Sequence, residues 1–265
     1  MTLKVCVAGV TGWTGKAVAQ AIASADDMQL VAAVSRSAAG TALRQYDVDS
    51  DVQISPTVEV ALKTPFDVFV DYTSAASVKS HCLAAVGKGK ATIVGSSGLS
   101  ADDFAEIEKL AKEKNVGVIA CGNFSITAAL AKHFSLVAAK YLPSWEIIDY
   151  ASATKLDAPS GTTRELAEDL EKIRTNRLGR EIKDVVGHSA ARGAQIKGTP
   201  VHSLRLPGYT LAFETLFGLP DERLTIRHDA GTSAAPYVDG TMLAIREVLK
   251  VKGLIRGLDQ LMFKN

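Results

Sequence analysis

The sequence predicts an α/β fold: a doubly wound parallel sheet first, then a second α+β domain carrying a mainly antiparallel sheet. Three observations lead there. Short β-branched runs alternate with helix-period segments through the first half of the chain. Past Asn123 this alternation gives way to one long helical stretch and then strand-like runs divided by Pro207-Gly208 and Pro220-Asp221. The last stretch, 237–251, returns to helical spacing. Repeated β-α-β alternation implies parallel pairing, because each parallel crossover needs a covering helix.

The elements follow in order. Leu3–Ala8 reads as a strand, and residues 16–25 carry apolar side chains at helical spacing. Residues 30–34 form a second strand, Val68–Asp71 a third after the breaker at Pro65, and 92–94 a fourth. Helices are expected over 75–87 and over 102–114, the latter capped by Ser100, with a fifth strand at 116–120. A long helix over 126–140 precedes a strand at 145–150, a polar loop at 151–162 and a helix at 163–173. The stretch 176–197 is polar, Gly-punctuated and expected to be a mobile excursion. Strands are expected at 201–206, 209–217 and 223–229, with turn residues between them.

Bulk properties narrow the function. With 265 residues and 47% hydrophobic content, the chain can bury one large core or two modest ones. A formal net charge of +1 supplies no basic excess for a general polyanion binder, so no nucleic-acid partner is expected. No run approaches the ~18 apolar residues of a membrane span. The N-terminus enters a strand directly, unlike a secretory leader, so a cytoplasmic location is expected. Cys6, Cys82 and Cys121 are far apart, odd in number and without a CxxC pair, which reads as buried thiols in a reducing compartment. The five histidines show no ligand spacing, and no metal is expected.

Gly9, Gly12 and Gly15 follow the first strand and open the first helix, with Trp13 and Thr14 between them. Glycines here give a tight turn, let backbone approach a pyrophosphate and pack helix against strand; the helix N-terminus offers free N–H groups to the phosphates. In this strand–turn–helix context the spacing indicates a Rossmann-type dinucleotide site. The end of the second strand carries Ser35 and Arg36 where an NAD site places an acidic residue. Ser35 can donate to a 2′-phosphate and Arg36 can pair with it, so NADPH is expected as cofactor ahead of NADH. The competing reading of Arg36 is a solvated surface arginine. Two further strand-end loops, holding Asp71 with Thr73 and Gly95 with Ser97, have the small and hydroxylic composition that lets a flat ring approach backbone.

In the middle of the chain, Lys155 precedes Asp157, Pro159, Ser160, Gly161 and Thr162 at the start of a helix. The Ser160 and Thr162 hydroxyls and the first free N–H groups are expected to face one point, an anion pocket to which Lys155 adds charge. A merely capped helix beside a solvated lysine explains the same residues equally well.

These motifs together, with Asn123-Phe124-Ser125 and above all the string from Lys155 to Thr162, resemble the dihydrodipicolinate reductase family of lysine biosynthesis. The resemblance spans nearly the whole chain, in the family's motif order. It implies a dinucleotide-binding domain of residues 1–124 completed by 236–265, a substrate-binding and oligomerisation domain of 125–235, and a homotetramer. It also implies that Asn123 and Phe124 belong to the cofactor site, that Ser160, Gly161 and Thr162 hold the substrate, and that Lys155 is catalytic. The family pattern Glu-x-His-His-x-x-Lys stands here as Asp149, Tyr150, Ala151, Ser152, Ala153, Thr154, Lys155, without either histidine. Removing a positioned general acid typically lowers a rate by about 10²–10⁴-fold. Tyr150 and Asp149 are the weaker candidates to replace it. Trp13 also stands where the family often has a basic residue. The expectation is therefore an NADPH-dependent reductase acting on a small imine-bearing or unsaturated carboxylate other than the usual substrate. A genuine 4-hydroxy-tetrahydrodipicolinate reductase and a non-catalytic NADPH-binding sensor are the alternatives.

Overall fold

The structure, a computed structural model, describes residues 2–263. The chain divides into two compact units, one running to Ile126 and resuming at Ala234, the other Thr127–Ser233. Along the first unit come β1 (Leu3–Ala8), α1 (Trp13–Ala23), β2 (Met28–Val34), β3 (Ile54–Ser55) and α2 (Val58–Ala61). β4 (Val68–Asp71), α3 (Val78–Gly87), β5 (Ala91–Val94), α4 (Ala101–Lys114) and β6 (Gly117–Ala120) follow. The second unit is built from α5 (Ile126–Ala139), β7 (Trp145–Ala151), α6 (Gly161–Ile173), β8 (Ala194–Ile196), β9 (Thr199–Arg205), β10 (Leu211–Leu219) and β11 (Glu222–Ala230). The returning segment adds α7 (Ala235–Glu247), β12 (Gly253–Arg256) and α8 (Leu258–Met262) to the first unit.

The first sheet has seven strands in the order β12-β6-β5-β4-β1-β2-β3, and each pairing is parallel. β4, β5 and β6 are buried along their whole length, as strands covered by helices on both faces must be. Phe69, Val34 and Cys6 pack in one cluster with α2, and Val78, Cys82, Ile107 and Val118 in a second with α3 and α4, on the same face of the sheet, since the register sets Cys6, Phe69, Thr92 and Val118 in one row. The three cysteines are buried and in no disulfide among the described residues, and burial pushes the Cys6 and Cys82 thiols up in pKa, which makes them poor nucleophiles. The strand order reverses between β1 and β4. Ligands of such sheets bind outside the carboxyl ends of the strands at that reversal, and Gly9 and Thr73 lie there.

The second unit carries a five-stranded sheet, β11-β10-β7-β9-β8. It is mixed: β7 pairs with β9 in parallel, and the other three pairings are antiparallel. The parallel pair follows from the long crossover through α6 that separates β7 from β9. Trp145, Ile147, Phe213 and Phe217 project from one face of this sheet into a core with Ala128, Leu166 and Leu170 of α5 and α6.

Several boundaries differ from those read in the sequence. α1 begins at Trp13, because Gly12 takes the extended N-cap conformation immediately before it. α3 begins only at Val78, after a turn whose bonds run from Ser77 and Val78 back to Ser74. The helix expected over 237–251 is α7, which stops at Glu247 and continues as a tighter turn over Val248–Lys250. The stretch expected to be an excursion holds two short 3₁₀ turns and leads into β8.

Candidate functional site

The glycine turn is shaped by backbone crowding. Gly9 has φ of 80°, and a Cβ there would overlap the Tyr72 carbonyl; a Cβ on Gly15 would overlap the Gly9 carbonyl. Gly12 differs. It is exposed, and a Cβ there would lie 3.1 Å from the Gly9 oxygen, so its smallness is used mainly on the solvent side. α1 has no side-chain N-cap and no acidic residue in its first turn. The N–H groups of Trp13, Thr14 and Gly15 therefore remain open to an anion. Trp13 is 55% exposed and packs edge-on against Tyr237, with ring centroids 5.7 Å apart.

The turn is linked sideways to the end of β2. The hydroxyls of Thr11 and Ser35 lie 2.9 Å apart, and Ser35 also meets Ser37 at 3.3 Å. Arg36 is exposed, with no hydrogen bond or ion pair among the described residues.

The next two loops meet at Asp71. This residue was expected to contact the cofactor, and the structure corrects that reading: it is fully buried and its carboxylate is taken up by the protein. It accepts from the Thr73 amide at 3.1 Å, the Thr73 hydroxyl at 2.8 Å and Ser96 Oγ at 2.5 Å. His81 Nδ1 lies 2.9 Å from its other oxygen. Asp71 thus fixes the two loops to each other, leaving Thr73 half-buried and Ser97 exposed on them. Gly95 is needed because a Cβ would enter the Tyr72 ring. Sequence reasoning missed Ser96 and His81; the usable signal was the adjacency of β4 and β5, which sets Asp71 opposite Val94.

Phe124 is buried with its ring edge toward Tyr72, centroids 6.1 Å apart. Asn123 Oδ1 accepts from the Ser125 amide at 2.8 Å, while its Nδ2 is buried without a partner. An unpaired buried amide donor is costly unless a ligand meets it.

The second cluster lies in the other unit, around Asp149 on β7. Asp149 is fully buried and accepts from Ser160 Oγ at 2.6 Å, the Ser160 amide at 3.0 Å and Thr163 Oγ1 at 2.9 Å. Ser203 Oγ at 3.2 Å and Arg205 Nη2 at 2.8 Å complete its shell. Burial opposes its ionisation, yet the bonds from Ser160, Arg205 and Thr163 prevail and hold its carboxyl below the ordinary range.

One expectation fails here. Ser160 is buried and spends its hydroxyl on Asp149, so it does not face an anion alongside Thr162; it caps α6 and anchors it to β7. Gly161 is exposed and Thr162 half-buried, and their amides, the first two of α6, have no helical acceptor. Lys155 Nζ pairs with Asp157 at 2.6 Å.

Where the family pattern has histidines, Ala151 is fully buried and the half-buried Ser152 has its hydroxyl 2.8 Å from that of Thr154. Tyr150 points to the opposite face of the sheet from Asp149 and donates to Glu214 at 2.8 Å, beneath the Arg227 guanidinium. Burial, then Glu214, pushes its phenol up to about 12. The ionised Asp149 has no proton to give at neutral pH, and Tyr150 directs its proton to Glu214 on the opposite face of the sheet.

The family profile "Dihydrodipicolinate reductase, N-terminus" matches residues 3–124, and the corresponding C-terminus profile matches 124–262. The chain belongs to the dihydrodipicolinate reductase family. As a member it is an oxidoreductase of the NAD(P)H-dependent kind. It is 36% identical over 262 residues to the 4-hydroxy-tetrahydrodipicolinate reductase of Halalkalibacterium halodurans, covering 98% of this chain and 99% of that one. The enzyme of the same name from Dehalococcoides mccartyi is also 36% identical over 262 residues, with 98% of each covered. Among solved structures, the dipicolinate-bound dihydrodipicolinate reductase from Paenisporosarcina sp. TG-14 superposes with a TM-score of 0.82 at 29% identity, covering 98% of this chain and 100% of that one.

Proposed function

We propose that this chain is an NADPH-dependent reductase that delivers a hydride to a small carboxylate bearing an imine or a conjugated double bond, at a site that has dispensed with a histidine acid. The observation that carries this reading is an apolar, fully buried Ala151 at the position of the family's first histidine, on a chain that keeps Lys155 and the open first-turn amides of α6.

The first unit suits a dinucleotide on three counts. Gly12 leaves space that a side chain would fill, the first-turn amides of α1 are open, and Asn123 Nδ2 is a buried donor without a partner. Ser35 and the unpaired Arg36 favour a 2′-phosphate over a bare ribose. NADPH, when bound, supplies the hydride. In the other unit, Lys155 with the amides of Gly161 and Thr162 holds the substrate carboxylate, and Ser160 serves them by fixing α6 to Asp149.

The chemistry follows from the missing acid. Hydride addition to a conjugated system leaves a carbon that needs a proton, whereas a protonated imine accepts hydride and is complete. A site without an imidazole favours the second case, with Lys155 the one cation at the clamp able to give up a proton. We further propose a cytoplasmic homotetramer, as the family resemblance suggests. NADPH consumption across small cyclic imines and unsaturated carboxylates, with 4-hydroxy-tetrahydrodipicolinate as reference, tests the assignment. The reading requires at least one to turn over faster than the reference.

The second reading, a genuine 4-hydroxy-tetrahydrodipicolinate reductase, is favoured by the names of the relatives that match along 98% of the chain. The reference substrate turning over fastest would establish it. Cofactor binding without turnover of any of them would point to a sensor.

A further inference from the structure

The segment from Ser152 to Ser160 has to hold Lys155 in place, yet it has few ties of its own. Leu156 is fully exposed, and the Lys155 amide reaches only back to the Ser152 carbonyl, at 3.1 Å. The far end is secured where Ser160 meets Asp149. Between these points Arg164 Nη2 of α6 donates to the Pro159 carbonyl at 3.4 Å, and one side chain from another strand grips the segment closer to Lys155. Arg205, at the end of β9, donates from Nη2 to the Asp157 carbonyl at 2.6 Å and from the same nitrogen to Asp149 Oδ2 at 2.8 Å. Its Nη1 is fastened to the Leu204 carbonyl at 2.8 Å.

We infer that Arg205 is a positioning residue of the carboxylate site, holding Lys155 and the start of α6 in one fixed arrangement. The path is short. Arg205 fixes the Asp157 backbone, the Asp157 side chain holds Lys155 Nζ, and the same guanidinium braces the carboxylate that carries Ser160 and Thr163. The role needs an arginine, because a planar fork can address two acceptors from one end while an ammonium on a flexible stem lacks that fixed geometry. Charge points the same way. Asp149 and Asp157 offset Arg205 and Lys155, so losing the guanidinium leaves a buried carboxylate under-compensated beside the substrate site. Arg205 Nε is moreover buried with no partner, a donor that folding alone does not use. Local sequence gives no hint of this, since Arg205 reaches the segment only through the parallel β7–β9 pairing, which sets it opposite Ala151.

The inference rests on the carboxylate-site reading, and the test separates the two. Full-length Arg205→Gln, without ligand, should show amide hydrogen exchange across 153–160 faster by about tenfold or more, with β7 unchanged. Dipicolinate, the ligand named for the Paenisporosarcina structure, then serves as probe in the presence of NADPH. Arg205→Gln should weaken it by about tenfold or more while changing NADPH affinity by less than about twofold. In a Lys155→Ala background the same change should add almost nothing, since its effect passes through Lys155; full additivity would mark a merely structural role and overturn the inference. If Arg205→Gln does not fold, Arg205→Lys keeps the charge against Asp149 without the fork and must show the same faster exchange. Unchanged exchange over 153–160 in the variant that folds overturns the inference whatever dipicolinate does. Faster exchange in a protein whose wild type ignores dipicolinate upholds the positioning role and refutes the substrate reading alone.

Discussion

The two candidate sites are built from different material. The cradle after β1 is a backbone object: Gly9 and Gly15 are required because carbonyls occupy the space of their side chains, and what it presents to a ligand is amide N–H. The clamp in the second unit is a side-chain object, in which Ser160, Thr163, Ser203 and Arg205, drawn from two other elements, converge on Asp149. A backbone site tolerates change everywhere except at its glycines, whereas a side-chain site can be altered beside its hub without dismantling it. Ala151 and Ser152 are such a change. They lie two and three residues past Asp149, yet none of Asp149's bonds involves them.

The largest effect expected from this contrast is at Gly12. Gly12→Val should reduce affinity for NADPH and NADH beyond measurement while lowering the melting temperature only slightly, because its nearest obstacle is one carbonyl at 3.1 Å that can shift by a few tenths of an ångström. Calorimetric titration with a thermal melt checks both, and retained affinity would remove the cradle from the account. Next comes Arg36→Ala, which removes the charged one of the two side chains, Ser35 and Arg36, expected to discriminate between cofactors. NADPH should weaken by about 1.5–3 kcal/mol, the scale of a hydrogen bond to a charged group, and NADH should be nearly unchanged. Equal weakening would mean that Arg36 does not read the 2′-phosphate.

A smaller effect, confined to the side-chain unit, is a pH dependence through His228. This residue is buried opposite Phe213, its Nδ1 is 3.2 Å from Thr127 Oγ1, and its Nε2 has no partner. Burial, only partly opposed by Asp229, lowers its pKa below the ordinary 6.5. The unfolded chain thus binds a proton more readily than the folded one, so stability is intact above about pH 6.5 and declines as pH falls toward the folded value. Urea unfolding of the wild type should show this loss, and His228→Asn should not. An identical pH dependence in both would assign the loss elsewhere.

Legibility in the sequence follows the same division. The glycine turn, β1 and β4 could be read locally because spacing and strand period lie within a few residues. β12 was missed: Gly253–Arg256 is four residues long, carries no alternation, and becomes a strand only because β6 offers an edge. Ser160 was assigned to the wrong partner for a related reason. Its N-cap role was visible, but the buried carboxylate that takes its hydroxyl lies eleven residues upstream, on a strand. Arg205 was invisible because nothing near position 205 hints at the register that brings β9 beside β7.

The central claim is that the substrate site has been rebuilt around the absence of an imidazole. The double change Ala151→His with Ser152→His tests this most directly, with Ser152→His alone as a companion because Ser152 is only half-buried while Ala151 is in the core. The quantity to measure is kcat/KM for 4-hydroxy-tetrahydrodipicolinate with NADPH, alongside NADPH affinity as a check on folding. The account predicts that both variants bind NADPH as the wild type does, leave this rate near background and lose activity on the native substrate. A gain approaching the roughly 10²–10⁴-fold expected of one restored general acid would contradict it, and would make the protein an ordinary reductase of its family that had lost its proton donor.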